Sequence, residues 1–351
     1  MACFQIQQVQ IRGIAAAVPQ QKASNHTLEL LPERERQQFV RTTGIEWRRI
    51  AGPDVCASDL CFRAAHDLMA SLEWDPQSID VLLFVTQSPD LLLPGTASQL
   101  QVRLGLGKHV VGIDLNQGCA GYVYGLSVLA SMLAGGHLRR GLLLVGDTIT
   151  HSLSQEDKST VPIFSDAGSA TALEFSPDAA AMTFNLQTDG LGYQAICIPE
   201  GGSRVPFSKA GLAMQDFGSG IRRSGLDLAM QGLDVFNFAL AEVAPNIRAM
   251  LEYAETEITT PDAFVFHQAN LLLNESIRRK MELPAEKVPY SLREFGNTSS
   301  ATIPVTMVHC LANQLRTQST SLVLSGFGVG LSWGSALVHL PPLVCLPMIE
   351  C

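Results

Sequence analysis

Two stretches of the chain repeat one order of elements: apolar strand, helix, a Gly-X step, helix, strand. In the first, Asp80–Val85 reads as a strand. Gly118-Cys119 then opens a small-residue helix, Ala120–Leu133, and a second strand follows at Leu142–Val145. In the second, Asp262–Phe266 reads as a strand that ends at His267. Gly296-Asn297 opens a helical stretch over Thr302–Leu315, and a strand follows at Ser321–Leu324. Strands alternating with helices predict α/β layers. The duplication predicts two similar halves, residues 1–178 and 179–351, and 351 residues exceed the size at which one core usually stops growing. A Gly-, Ser- and Pro-rich run near 199–220 reads as a surface excursion inserted into the second half.

Composition narrows the function classes. With 46% hydrophobic and 16% charged residues the chain is a well-buried globular protein. A formal charge of −9 argues against nucleic acid, which needs a clustered basic surface. The apolar runs Val81–Val85 and Leu142–Val145 are strand length, far below the roughly 20 residues that span a bilayer, so no membrane association is expected. Met1–Gln10 lacks a basic segment followed by an apolar one, which predicts no secretory signal and a cytoplasmic protein. The eight cysteines lack CxxC spacing and scaffold density, so reduced thiols are expected, with no metal site.

Three residues carry candidate chemistry. Cys119 lies in Asn116-Gln-Gly-Cys-Ala-Gly-Tyr122, between the strand Val110–Leu115 and a helix. A cysteine at a strand-to-helix turn meets the positive end of the helix dipole, which favours thiolate. Gly118 and Gly121 permit the sharp turn and let a carbonyl approach backbone amides. A glycine-flanked structural cysteine fits the local sequence equally well. His267 ends a strand, where α/β ligand sites form, although a strand-end histidine is often only a satisfied core residue. Asn297 holds, in the second repeat, the place of Cys119 in the first. Packing about a pseudo-twofold axis would bring both to one pocket. Gly326-Phe-Gly-Val-Gly330 lacks the Lys-Ser/Thr of a phosphate loop and reads as a tight turn lining the same pocket. Asp147, Asp157 and Asp166 read as loop or cap residues without chemistry.

Taken together, Gly118-Cys-Ala-Gly-Tyr-Val-Tyr124, His267-Gln-Ala-Asn270, Gly296-Asn-Thr-Ser299 and Gly328-Val-Gly-Leu-Ser-Trp-Gly-Ser335 resemble the β-ketoacyl-acyl carrier protein synthase III family of thiolase-like condensing enzymes. Thr43-Gly-Ile45 and Phe164-Ser-Asp-Ala-Gly168 belong to the same resemblance, which runs from Gly13 to about Val338. It implies a layered αβαβα thiolase fold, a homodimer and no bound cofactor, with acyl and malonyl thioesters of coenzyme A or acyl carrier protein as substrates. It further implies that Cys119 is acylated, that the amides of Cys119 and of the Gly328-Val329 turn hold the oxyanion, and that His267 and Asn297 bind the malonyl carbonyl during decarboxylation. Met230, Gly232, Leu233 and Phe327 would line the substrate channel, and Arg278, Arg279 and Lys280 would offer a basic face to an acidic carrier protein.

The chain departs from the family at several positions. Gln38 and Thr42 stand where acyl-coenzyme A users carry the Trp and Arg that sandwich the adenine, and Lys158 replaces a further Arg. Leu233 replaces a channel Asn, Leu272 a docking basic residue, and Val329 a Gly, which narrows the acyl channel. Two other functions remain open on these grounds: acyl transfer from Cys119 to an alcohol or amine without decarboxylation, and a non-catalytic acyl-binding partner subunit.

Overall fold

A computed structural model describes residues 2–351. Two mixed sheets lie face to face with helices between and outside them. The first runs Val344–Cys345, Val9–Val18, Ala167–Phe175, Arg140–Asp147, Val81–Val85, Val111–Leu115. The second runs Ala2–Ile6, Met182–Thr188, Ser332–Leu340, Thr320–Gly328, Ala263–Phe266. Within each, a central strand pairs parallel with one neighbour and antiparallel with the other: Arg140–Asp147 with Val81–Val85 and Ala167–Phe175, Thr320–Gly328 with Ala263–Phe266 and Ser332–Leu340. The two termini cross over. Ala2–Ile6 pairs with Met182–Thr188 in the second sheet, while Val344–Cys345 and Ile349–Glu350 pair with Val9–Val18 in the first.

The helices Gly121–Leu133 and Thr302–Cys310 each touch both sheets and form the middle layer. They are apolar nearly all round, as a helix buried on every side must be. Ala57–Ser71 and Ala97–Arg103 cover the outer face of the first sheet, and Gly232–Tyr253 covers that of the second. Three apolar clusters fill the spaces: Leu83, Leu126 and Val305 lie between the sheets, Leu60 and Phe84 outside the first, and Ile247 and Phe264 outside the second. This is the αβαβα layering expected from the sequence.

Some details differ from expectation. The helix expected over Thr302–Leu315 is broken at Leu311, where φ −113° and ψ 2° leave the helical range, and resumes as Ala312–Thr317. Gly326 to Gly328 belong to the strand Thr320–Gly328, and the turn follows at Val329–Leu331. Residues 201–220 are exposed except at Gly211, and their regular structure is the short pairing of Gln215–Asp216 with Arg222–Arg223. Among the described residues no helix is long and apolar enough to cross a membrane, and no cluster of metal-ligating side chains occurs.

Candidate active site

Because both middle-layer helices start at the same end of the sandwich, the residues just before them meet. Cys119 precedes Gly121–Leu133, Asn297 precedes Thr302–Cys310, and His267 follows the strand Ala263–Phe266. All three line one cavity of about 130 Å³, together with Phe327 and Gly328. Its remaining wall is mostly apolar, from Ile163, Phe164, Ile196, Met230, Val235 and Leu273, with Asn270 as a further polar side chain.

Cys119 is 6% exposed. Its sulfur faces its own N–H, the Val329 N–H and the Ser299 hydroxyl. Burial nevertheless pushes the thiol up to about 12, so desolvation outweighs these donors. The thiolate preference expected from the helix terminus is overridden because the sulfur is removed from water. The strand Thr320–Gly328 lies directly against the cysteine. A Cβ on Gly328 would stand 2.7 Å from Cys119 Cβ and 2.8 Å from its Sγ, so only glycine fits.

His267 is held from three sides. Its N–H donates to Ser325 O at 2.7 Å, its carbonyl accepts from Asn274 Nδ2 at 3.0 Å, and the ring stands edge-on to Phe327 at 5.4 Å. Nδ1 shares a 2.7 Å hydrogen bond with Thr302 Oγ1, and the Ser299 backbone also contacts the ring. Burial pushes the imidazole down to about 3. The unfolded chain takes up this proton below about pH 6.5 and the folded one only near 3. His267 therefore contributes stability that is complete above pH 6.5 and is lost as pH falls toward 3. His267→Asn, which cannot be protonated, is expected to lose less stability than wild type across that window in urea unfolding. Equal losses would contradict the assignment.

Asn297 is fixed through its backbone by a bridge to Phe164. Its N–H donates to Ile163 O at 3.1 Å and its carbonyl accepts from Ser165 N at 2.9 Å. This pairing is the structural use of the Phe164-Ser-Asp-Ala-Gly168 motif. Gly296, at φ 56° and ψ −151°, makes the turn into it. The side-chain Oδ1 accepts from Ser299 N at 3.0 Å. That leaves Nδ2 as the outward group, and among the described residues it has no protein acceptor.

The other expected site residues divide. Met230, Gly232 and Phe327 line the cavity. Leu233 does not: it lies in the first turn of Gly232–Tyr253 with its side chain 72% exposed. Val329 packs against the apolar cluster that contains Phe164 and offers its N–H to the cysteine. Of the basic trio, Arg278 is bound to Glu275 and to Leu283 O, and Lys280 Nζ donates to Leu240 O. Arg279 is 75% exposed and makes only a long contact with Glu275, so it is the least engaged of the three, and the exposed Lys280 keeps two further donors. Gln38, Thr42 and Lys158 line a separate cleft of about 1340 Å³, in which Gln38 donates to Thr42 and Lys158 pairs with Glu35.

Sequence reasoning missed Ser299, Thr302 and Asp147. Ser299 stood in the Gly296–Ser299 motif without a role, and Thr302 lies five residues past Asn297, a closeness that was its one available signal. Asp147, Asp157 and Asp166, expected in loops or caps, are all fully buried. Asp166 accepts from Ala51 N and from Thr150, and Asp157 pairs with Arg223.

Comparison with known proteins places this geometry. Residues 113–190 match the family model for 3-oxoacyl-(acyl-carrier-protein) synthase III, and residues 251–340 match the model for its C-terminal region. The chain is 31% identical to the β-ketoacyl-(acyl-carrier-protein) synthase III of Streptococcus equi subsp. zooepidemicus, covering 94% of this chain and 98% of the relative. A relative of the same name from Streptococcus pneumoniae is 30% identical over 93% of this chain and 98% of its own length. The crystal structure of the 3-oxoacyl-(acyl-carrier protein) synthase from Burkholderia xenovorans superposes with a TM-score of 0.93 at 36% identity, covering 99% of both chains. The chain thus belongs to the 3-oxoacyl-(acyl-carrier-protein) synthase III family, thiolase-like condensing enzymes that act as acyltransferases.

Proposed function

We propose that the protein joins an acyl group carried on Cys119 to a malonyl thioester with loss of carbon dioxide. In the first step the Cys119 sulfur attacks the donor thioester. A new carbon–sulfur bond forms, the old one breaks, and the donor thiol leaves with the cysteine proton. The N–H groups of Cys119 and Val329 receive the oxyanion. In the second step the malonyl carbon–carbon bond breaks and its electron pair moves onto the thioester carbonyl as an enolate. Asn297 Nδ2 and His267 Nε2 donate to that oxygen, and Nε2 carries the ring proton when the Thr302 hydroxyl turns from the Ser299 carbonyl, 3.2 Å away, to donate to Nδ1 at 2.7 Å. The enolate carbon then attacks the acyl thioester, and the Cys119 sulfur leaves and regains a proton. The covalent route divides one hard step into two.

One observation supports this reading above the others: two neutral donors share the cavity with a thiol. Asn297 is oriented by Ser299, and burial keeps His267 uncharged near neutral pH. Donors fixed where charge develops favour the transition state over the ground state. Acyl transfer to an alcohol or amine needs a base, which His267 could supply, but makes no enolate, so it leaves Asn297 without a task. Labelled carbon dioxide from malonyl-acyl carrier protein, released with acyl-primed enzyme, tests the choice. Transfer of the acyl group without that release would establish the simpler reaction.

The same reading covers the surroundings. The relatives' names specify acyl carrier protein, and the exposed Arg279 offers an acidic carrier a cation on the helix Leu271–Lys280, whose first turn lines the cavity. Gln38 donates to Thr42 and accepts from Arg41, and neither Gln38 nor Thr42 supplies an aromatic–guanidinium clamp for adenine, which favours a carrier-bound primer over coenzyme A. A homodimer fits the edge strand Val111–Leu115, where Val111 and Ile113 are each 37% exposed, and the neighbouring Leu92 and Leu93 at 89% and 85%. Eight free cysteines fit a reducing compartment such as the cytoplasm.

A further inference from the structure

Below the Cys119 turn lies a carboxylate to which the condensation assigns no step. Asp147 ends the strand Arg140–Asp147 and is fully buried. Its Oδ1 accepts from Gln87 N at 2.7 Å and Thr86 Oγ1 at 3.1 Å. Its Oδ2 accepts from Ser300 N at 3.2 Å and Ser300 Oγ at 2.6 Å. Among the described residues no Lys or Arg pairs with it. A carboxylate buried without a cation is costly unless hydrogen-bonded, and here the donors from Thr86, Gln87 and Ser300 hold it.

The donors stand on opposite sides of the nucleophile. The Gln87 side chain packs where a Cβ on Gly118 would lie, just before Cys119. Ser300 Cβ stands 3.4 Å from where a Cβ on Gly121 would lie, just after it. Thr86 and Gln87 belong to the first half of the chain and Ser300 to the second, so one side chain ties the halves together under the cavity. The Ser300 arm also leads straight to the other two groups. Ser299 donates to Asn297 Oδ1 and faces the Cys119 sulfur, and Thr302 bonds His267 Nδ1.

We propose that Asp147 is a positioning residue that clamps the Asn297–Thr302 segment of the second half against the Cys119 turn of the first. This rests on the reading of Cys119, His267 and Asn297 as the reacting set. Burial is the main cause of the raised Cys119 thiol, and the negative charge of the clamp adds to it. The titratable groups facing this region are His267 across the cavity and the buried Cys61 thiol, which senses the same charge. Asp147 thus holds the reacting groups in register while disfavouring a free thiolate before substrate arrives.

The two effects act in opposite directions, which gives the test. Iodoacetamide labelling of Cys119, followed by peptide mass spectrometry across a pH series, is compared with condensation turnover in wild type, Asp147→Asn and Ser300→Ala. Asp147→Asn is expected to shift the labelling profile toward acid by about one pH unit, so that labelling is about tenfold faster at a fixed pH. Its condensation is expected to fall about tenfold or more from lost alignment. Ser300→Ala keeps the charge, so its profile stays in place while turnover falls. An unshifted profile or wild-type turnover in folded Asp147→Asn overturns the proposal. If Asp147→Asn does not fold, turnover in Ser300→Ala decides: a fall supports the clamp, and wild-type turnover overturns it. Wild-type enzyme that releases no carbon dioxide would instead refute the functional reading, while the labelling profiles still report on Asp147.

Discussion

Gly328→Ala is expected to lower condensation by about 100-fold or more while leaving the protein folded. The added methyl would stand 2.7 Å from Cys119 Cβ and 2.8 Å from its Sγ. Carbon atoms prefer roughly 3.5–4.0 Å, so one partner must retreat by about 1 Å. Gly328 is paired with Ser332 on one edge, and three residues earlier Ser325 is paired on both edges, with Phe266 and Ser335, which anchors the strand. The Cys119 turn is the softer side. Pushing it away breaks the alignment of the sulfur with the Val329 N–H and with Asn297, and a displacement of this size costs about 100-fold in rate. Acylation and condensation should both fail, because both use the sulfur's position. Circular dichroism and thermal unfolding confirm the fold, and single-turnover acylation with condensation turnover supplies the readout. Near-wild-type turnover would mean that the turn adapts without loss and that its geometry is not the controlling feature.

His267→Ala and Asn297→Ala are expected to separate the two steps. Each removes one donor from the enolate oxygen, and loss of a single oxyanion donor typically costs about 100- to 1,000-fold. Carbon dioxide release should fall by that factor in each. Acylation of Cys119 should persist, because its oxyanion contacts are backbone N–H groups that neither substitution removes. Asn297→Asp should be still more damaging to decarboxylation, since it places an acceptor where a donor is needed. The neutral state of His267 adds a second readout. With its imidazole pushed down to about 3, it does not titrate near neutral pH. Decarboxylation by acyl-primed enzyme should therefore show no inflection near pH 6.5, the ordinary histidine value. An inflection there would mean that the ring gains a proton in the working enzyme.

The layers and the meeting point of the site were legible because both follow from local order. Gly118-Cys119 and Gly296-Asn297 each precede a helix, and the helices pack together between the sheets. Any residue just before them falls at the same end. His267 was legible as the end of the strand Ala263–Phe266, in the layer that faces those helices. The groups that hold these residues in place were not legible. Asp147 reaches Ser300 across 153 positions of sequence, and no periodicity in either segment marks that contact. Leu233 was assigned by position in the family pattern and Arg278 as a basic residue near the pattern's docking position, and neither ground reveals side-chain direction. Leu233 points to solvent, and Arg278 is held by Glu275 and the Leu283 carbonyl. The raised thiol of Cys119 was hidden for a related reason: the helix terminus is written in the sequence, whereas the depth of burial depends on how the second half closes over it.

The central claim is that one thiol among eight carries the acyl group and gives it up to a decarboxylated malonyl unit. Peptide mass spectrometry after incubation with acyl-acyl carrier protein, before and after a chase with malonyl-acyl carrier protein, measures both halves of that claim. We expect a single acyl adduct on the Cys119 peptide, absent in Cys119→Ala, which the chase removes in step with carbon dioxide release. An adduct on another cysteine, such as the exposed Cys310 or Cys351, or an acyl-Cys119 that the malonyl thioester cannot discharge, would contradict the account.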